Sequence, residues 1–385
     1  MHAPEETRHA QRISTALSAR IDAEIAASAD ALLPFDRFME LALYAPGLGY
    51  YVAGAPKFGR GGDFITAPEY SPLFGQCLAA QCAEALARLG GGDVLEFGAG
   101  SGALAAQVIT QLAALDRLPE RYLILEPSPD LQAAQRERLA TLPAPLAARC
   151  HWLERLPEGF NGVVIGNEVL DAMPVHRFAI GAAGEVLEVF VTGEDGQFRE
   201  VQAAARSPGL VEAVEALQAA GLARAPGYGS EINLRLGPWF AALDGALEHA
   251  LVLLADYGYP RPLYYHPERD MGTLMCHHRH RAHDDPYRHP GLQDITAHVD
   301  FSAVAEAATR AGFGLAGFTT QAHFLIGCGI DTLLAAAPDP LDLAQQAKQL
   351  LLPDAMGERF KVIGLTRGLD GPWRGFGERD LGDRL

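Results

Sequence analysis

The spacing of apolar residues along the chain changes repeatedly between two periods, and this predicts a mixed α/β protein. Short continuous apolar runs predict buried strands at 122–125, 162–166 and 250–255. Apolar residues at helical spacing predict helices, most clearly at 74–89 and 103–115. Because strands and helices alternate, the pattern predicts an α/β fold with a doubly wound parallel sheet.

The rest of the chain contains one long loop-like segment and several more predicted helices and strands. A glycine- and tyrosine-rich segment at 46–71 is long for a connector and is interpreted as a lid or wall over a ligand. The further predicted elements are helices at 11–27, 35–44, 130–139 and 211–220, strands at 150–153, 314–319, 323–326 and 359–366, and a hairpin of 175–180 with 185–192.

The hairpin and the helix after it interrupt the alternation of strands and helices. We therefore expect an inserted hairpin and helix subdomain at 179–238 between two parts of the sheet domain, 74–178 and 239–370. N-terminal helices and the lid-like loop precede them at 1–73.

The clearest candidate site lies where an apolar strand runs into VLEFGAGSG at 94–102. Gly98, Gly100 and Gly102 allow a tight turn and a close approach of the backbone to a ligand. The sequence formally fits a dinucleotide fingerprint, which would indicate a dehydrogenase. Glu96 argues against a pyrophosphate there and favours S-adenosylmethionine, whose ammonium and sulfonium are cationic.

A second acid supports this interpretation. Glu126 ends the next predicted strand, where a carboxylate can accept hydrogen bonds from both ribose hydroxyls of a nucleoside. A glycine-rich turn alone also occurs as an ordinary tight turn in α/β domains. The two acids together therefore favour S-adenosylmethionine as the cofactor.

The fourth predicted strand of the sheet ends in NEVLDAMP at 167–174. Ligands of open α/β sheets bind outside the carboxyl ends of the strands, so Asn167 is expected to contact the cofactor. Glu168 and Asp171 are three residues apart and would share a face on a helical turn, where they could bind a cationic side chain. Capping of the following segment is the alternative role for each acid.

Composition narrows the class of protein. The 385-residue chain carries a formal net charge of −17, which disfavours nucleic acid as a partner. Five scattered cysteines indicate a reducing compartment, and the N-terminus has no apolar signal region. The apolar runs are too short to cross a bilayer. We therefore expect a cytoplasmic protein without membrane insertion.

A run of histidines, CHHRHRAH at 276–283, could suggest a metal site. Arg279, Arg281 and Arg288 would repel a cation, so we expect no bound metal. The segment 276–289 is interpreted as a basic loop that contacts substrate or acidic neighbours.

Four longer motifs are similar to the MidA family. They are GDFITAPE at 62–69, NEVLDAMPVH at 167–176, DITAHVDF at 294–301 and MGERF at 356–360, and the similarity spans about 35–365. This seven-strand methyltransferase family includes a mitochondrial complex I assembly factor that acts on an arginine. The resemblance implies a class I, Rossmann-like methyltransferase fold and S-adenosylmethionine as cofactor.

Matching motifs also imply roles for particular residues. The resemblance implies that the cofactor is held by Glu96, Gly98, Gly100 and Glu126. It implies that the reaction side is lined by Asp63, Glu69, Glu168 and Asp171. We expect a methyltransferase that acts on a protein arginine, with a complex I subunit as a candidate substrate. A small-molecule methyltransferase and a noncatalytic assembly chaperone with the same fold are the alternatives. The oligomeric state is not predicted.

Overall fold

A computed structural model describes residues 3–53, 66–279, 281–337 and 339–385. Within these ranges the main sheet has eight strands, of which we label seven in chain order: β1 Asp93–Phe97, β2 Tyr122–Leu125, β3 Cys150–Leu153, β4 Phe160–Asn167, β5 Leu247–Tyr259, β6 Gly314–Thr320 and β7 Phe360–Arg367. Their spatial order is β6-β7-β5-β4-β1-β2-β3. An additional short strand, Val299–Asp300, pairs with the end of β5.

The direction of the strands confirms the predicted doubly wound sheet. The strands β1 to β5 run parallel to one another, and β7 is antiparallel to both β5 and β6. Val163 and Val164 are both fully buried although successive side chains face opposite sides of the sheet. Helices therefore cover both faces, which explains why these strands are continuous apolar runs.

Helices pack around the strands of the described chain. The α-helices are Ala3–Ala27, Phe35–Tyr44, Ala67–Tyr70, Pro72–Leu89, Ala103–Ala114, Pro129–Leu139, Ala144–Ala147, Leu210–Ala219, Leu236–Ala246, Arg261–Tyr264, Phe301–Arg310, Gln321–Gly327, Ile330–Ala335, Pro340–Leu351 and Arg374–Gly377. Short 3-10 turns lie at Ala29–Ala31, Tyr50–Val52 and Gly382–Arg384, and a π turn lies at Pro353–Gly357.

A second sheet contains the predicted hairpin. His176–Ile180 pairs antiparallel with Val186–Glu194, as expected, and Gln197–Ala204, Gly229–Ile232 and Leu33–Pro34 complete the sheet. The expected boundary after residue 178 therefore falls within a strand of this sheet. A third, small sheet is built from Met275–His278, Arg281–His283 and Asp294–Thr296.

One predicted strand was wrong. Residues 323–326 lie in the helix Gln321–Gly327, which begins where the Thr320 hydroxyl accepts a hydrogen bond from the amide of His323. A four-residue apolar run does not distinguish a strand from one buried face of a short helix. The cap at Thr320 favours the helix, because it gives one of the first helical amides a partner as the chain leaves β6.

Candidate active site

A cavity of about 1440 Å³ opens at the carboxyl ends of β1, β2, β4 and β5. This is where the topology of an open α/β sheet leaves room for a ligand. Its lining includes the glycine loop and the acids at the strand ends, together with residues of the N-terminal segment such as Tyr44 and Tyr51. The volume exceeds the roughly 300–1,000 Å³ of an ordinary small-molecule pocket, so cofactor and substrate can share it.

The glycine loop has the conformation that its sequence predicted. Gly98, Gly100 and Gly102 have φ values of 59°, 53° and 81°, in the left-handed region that favours glycine. Gly98 and Gly100 line the cavity. Gly102 instead begins the helix Ala103–Ala114, and a Cβ there would lie 3.3 Å from the Cα of Gln135. Gly102 therefore serves helix packing rather than the cavity surface.

Glu96 lies at the end of β1 and faces the cavity. The Tyr122 hydroxyl donates a 2.6 Å hydrogen bond to its Oε2. Burial raises the pKa of Glu96 to about 7; the Tyr122 bond opposes this shift, and the charge of Glu126 adds to it. A buried carboxylate with a raised pKa is stabilised in its ionised form by a nearby cation, so Glu96 fits the ammonium of S-adenosylmethionine.

Glu126 is held by a network that the sequence did not indicate. The side-chain nitrogen Nε2 of Gln135 donates to the Gly100 carbonyl at 2.9 Å and to Oε2 of Glu126 at 3.2 Å. The Trp152 indole in turn donates to Oε1 of Gln135 at 2.8 Å. Gln135 therefore links the glycine loop to the acid on the next strand and fixes their relative position. The sequence shows only a polar residue within the predicted helix 130–139, and its burial is apparent only in the structure.

The tip of β4 carries a strained residue. Glu168 has a φ of 53°, which is uncommon for a residue with a side chain. Residues held in such backbone conformations are found preferentially at functional sites. Its amide donates to the Ala255 carbonyl at 2.9 Å, and the Asn167 side chain donates to its Oε1 at 3.1 Å. Burial raises the pKa of Glu168 to about 8, and the charges of Asp171 and Asp294 add to the shift.

Asp171 is oriented by a residue of β5. The Tyr257 hydroxyl donates a 2.5 Å hydrogen bond to its Oδ2, and the carboxylate of Asp256 accepts from the backbone amides of Leu170 and Asp171. Among the described residues, Oδ1 of Asp171 is buried without a hydrogen-bond partner. Burial raises the pKa of Asp171 to about 6. A buried carboxylate oxygen without a partner is unfavourable, and because Asp171 lines the cavity, a cationic ligand there would stabilise it.

The three remaining predicted site residues are Asn167, Glu69 and Asp63. Asn167 lines the cavity beside Glu168. Glu69 also lines it, but it lies against the glycine loop, where it accepts a hydrogen bond from Ser101 and lies 3.4 Å from the Arg138 guanidinium. Asp63, predicted on the reaction side, falls outside the described residues. The structure thus brings Asn167, Glu168 and Asp171 together and places Glu69 beside Ser101.

The histidine-rich run forms the hairpin of Met275–His278 with Arg281–His283, and His277 reaches the cavity. His278 and His289 stack with ring centroids 4.7 Å apart. Among the described residues no group of three or more His, Cys, Asp or Glu side chains could hold a metal ion; His280 lies outside them. None of the described helices has the length and apolar character needed to cross a bilayer.

Comparison with known proteins gives consistent matches. Residues 77–319 match a family described as "putative S-adenosyl-L-methionine-dependent methyltransferase". A crystal structure from Burkholderia thailandensis, bound to S-adenosyl-homocysteine, is 46% identical, covers 98% of both chains and superposes with a TM-score of 0.91. A second structure from this organism is 44% identical, covers 98% of both chains and has a TM-score of 0.88.

Curated relatives carry a more specific name. The chain is 30% identical to the mitochondrial protein arginine methyltransferase NDUFAF7 of Danio rerio, over 85% of this chain and 81% of the relative. It is 28% identical to the mitochondrial NDUFAF7 homolog of Drosophila melanogaster, over 95% of this chain and 88% of the relative.

These relatives correct one expectation. The sequence analysis predicted a cytoplasmic location, and this prediction was wrong: the curated relatives are named as mitochondrial proteins. Five buried free cysteines indicate a reducing environment but do not distinguish one reducing compartment from another.

Proposed function

This chain belongs to the MidA-like family of S-adenosylmethionine-dependent methyltransferases, and from that premise we propose that it methylates an arginine side chain of a protein. The enzyme class and the cofactor follow from the family and from the relative that binds S-adenosyl-homocysteine. The dehydrogenase alternative is thereby excluded.

One observation carries the proposal: the cavity that holds the glycine loop also holds Glu168 and Asp171, with Oδ1 of Asp171 buried and unpartnered among the described residues. Carboxylates with raised pKa values in one pocket repel each other and are relieved by a bound cation. A guanidinium matches them because it is planar, stays protonated and offers five N–H donors. The names of the curated relatives agree with this substrate class.

The cofactor supplies an activated methyl group when it is bound. We propose that Glu96, Gly98, Gly100, Glu126 and Asn167 hold it, with Gly102 supporting the loop from the helix. The protein then has to orient the attacking nitrogen and accept its proton. Asp171, fixed by the Tyr257 hydroxyl, and Glu168, fixed on its strained backbone, are proposed to do both. Glu69 is proposed to support the cofactor loop through Ser101.

We also propose a division of work between the parts of the chain. The sheet segments, 74–178 and 239–370, would hold the cofactor and the acids. The N-terminal part, 1–73, apart from Glu69, and the inserted part, 179–238, would form the substrate side. In support, Tyr44, Tyr51 and Arg235 come from these two parts and line the cavity.

Methyl transfer to a protein tests the proposal. The purified enzyme would be incubated with S-adenosylmethionine carrying a labelled methyl group and with unmethylated complex I subunits, the first candidates because of the family resemblance. Peptide mass spectrometry should locate the label on an arginine. Label on a metabolite in a cell extract, with none on protein arginine, would contradict the proposal and favour a small-molecule substrate.

A further inference from the structure

A third carboxylate faces the same cavity from a distant part of the chain. Asp294 begins the short strand Asp294–Thr296 of the third sheet, is 2% exposed and lines the cavity together with Glu168 and Asp171. The segment that carries it is joined directly to the acid loop, because the amide of Ala297 donates to the Asp171 carbonyl at 3.0 Å. The position of Asp294 relative to Asp171 is therefore fixed by the fold.

The orientation of Asp294 is also fixed. Its Oδ1 accepts hydrogen bonds from the Tyr51 hydroxyl and from the amide of Ile295, both at 2.9 Å. Tyr51 stacks on Tyr44 with ring centroids 5.5 Å apart, and the Tyr44 hydroxyl donates to the Ala172 carbonyl at 2.9 Å. The pair of tyrosines thus connects Asp294 to the loop that carries Asp171.

The electrostatics of the cavity point to a cationic ligand. The negative charge of Asp294 contributes to the raised pKa of Glu168, after burial and the charge of Asp171, so these acids act on one another. The pKa of the Tyr51 hydroxyl is raised by burial and then by Asp294. Arg235 and Arg359 also line the cavity, but the Arg235 guanidinium is paired with Asp36 and Glu40. Grouping carboxylates is unfavourable unless a cation lies among them, and Oδ1 of Asp171 still has no hydrogen-bond partner among the described residues.

We propose that Asp294 contacts the guanidinium of the substrate as a third carboxylate, and that Tyr51 positions it. The inference rests on the proposed arginine substrate. A guanidinium offers donors along more than one edge, so carboxylates from separate segments can hold it while one nitrogen faces the methyl group. The role is one of binding and orientation, and no covalent step passes through Asp294.

A neutral isostere of arginine separates recognition of charge from general damage to the site. Dissociation constants would be measured for the blocked peptide Gly-Gly-Arg-Gly-Gly and for its citrulline counterpart, with S-adenosyl-homocysteine present. Asp294→Asn should lower the preference for arginine over citrulline by about tenfold, the scale of one charge-assisted hydrogen bond. Tyr51→Phe keeps the charge of Asp294 but removes the hydroxyl that positions its carboxylate, and it should lower the preference for arginine by about threefold.

Two matched variants serve as controls. Asp285→Asn removes a charge from the same region, where Asp285 pairs with Arg288 at 3.0 Å, and Tyr70→Phe removes a hydroxyl from an exposed ring. Neither should change the preference. Equal weakening of both peptides in Asp294→Asn would overturn the inference, because it would show a structural role.

Failure of the inference can be distinguished from failure of the proposed function. If the parent methylates protein arginine but Asp294→Asn keeps the parental preference, only the role of Asp294 is lost. If the parent transfers no methyl group to any arginine, the proposed function is lost as well. Should Asp294→Asn not bind S-adenosyl-homocysteine, Tyr51→Phe decides, and an unchanged preference in that variant overturns the inference.

Discussion

The Tyr257 hydroxyl donates a 2.5 Å hydrogen bond to Oδ2 of Asp171, a residue 86 positions earlier in the chain. This bond holds the carboxylate of a residue that lines the cavity, and it leaves Oδ1 without a hydrogen-bond partner among the described residues. It joins the tips of the neighbouring strands β4 and β5, so the order of the strands determines the orientation of the acid.

Removing the charge of Asp171 should affect turnover rather than cofactor binding. We expect Asp171→Asn to lower kcat by roughly a hundredfold or more, the scale of losing a positioned acid–base group, with affinity for S-adenosyl-homocysteine within a few-fold of the parent. Glu168→Gln should behave similarly. Steady-state methylation and titration calorimetry would measure both quantities. Parental turnover in both variants would show that the acids are structural, and Asp331→Asn, an exposed acid, is the control.

The glycine loop gives a test of cofactor binding. Gly100→Val should abolish binding of S-adenosyl-homocysteine, because a branched side chain at a φ of 53° is strained and would occupy space beside the ligand. Titration calorimetry would detect the loss. Gly90→Val is the matched control, since Gly90 has a φ of 77° with open space around its Cβ position. Affinity that survives in Gly100→Val would remove the loop from the cofactor site.

Gln135 should matter for the cofactor although it does not line the cavity. Gln135→Leu removes the bridge between the Gly100 carbonyl and Glu126 and leaves that buried carboxylate with fewer donors. We expect about a tenfold loss of affinity for S-adenosyl-homocysteine, corresponding to roughly 1.4 kcal/mol. Trp152→Phe, which removes the donor to Gln135 and keeps an aromatic ring, should cause a smaller loss. Calorimetric affinities equal to the parent's in both variants would contradict the role of this network.

Glu168 should make the stability of the free enzyme depend on pH. Its pKa rises from 4.5 to about 8 on folding, so the folded protein holds a proton that the unfolded chain releases between these values. The free energy of unfolding should therefore fall as pH rises from about 4.5 to about 8 and then level off. Glu168→Gln cannot ionise and should be more stable than the parent above pH 8, by roughly 2–4 kcal/mol.

Urea unfolding of both proteins at pH 5 and pH 9 would measure this difference. The difference in the free energy of unfolding between Glu168→Gln and the parent should be small at pH 5 and reach its full value at pH 9. A gap that is independent of pH would show that Glu168 is already ionised in the folded protein at pH 5.

The local pattern of the sequence determined the elements and the ends of the parallel strands. The predicted strands at 122–125 and 150–153 and the predicted helix at 35–44 have the observed bounds, because apolar periodicity records which faces are buried. The acids at strand ends were found for a related reason: parallel strands present their carboxyl ends at one edge of the sheet, so Glu96, Glu126 and Glu168 follow from sequence order.

Tertiary structure alone decided which other side chains meet these acids. Tyr257, Asp294, Tyr51 and Gln135 come from separate segments, and no local pattern records a contact between residues so far apart in the chain. The raised pKa of Glu168 likewise depends on burial, on the charge of Asp171 in the same loop and on the charge of Asp294 from a distant segment. The sequence thus determined the sheet and its binding edge, whereas packing between distant elements set the orientation and the ionisation of the groups placed there.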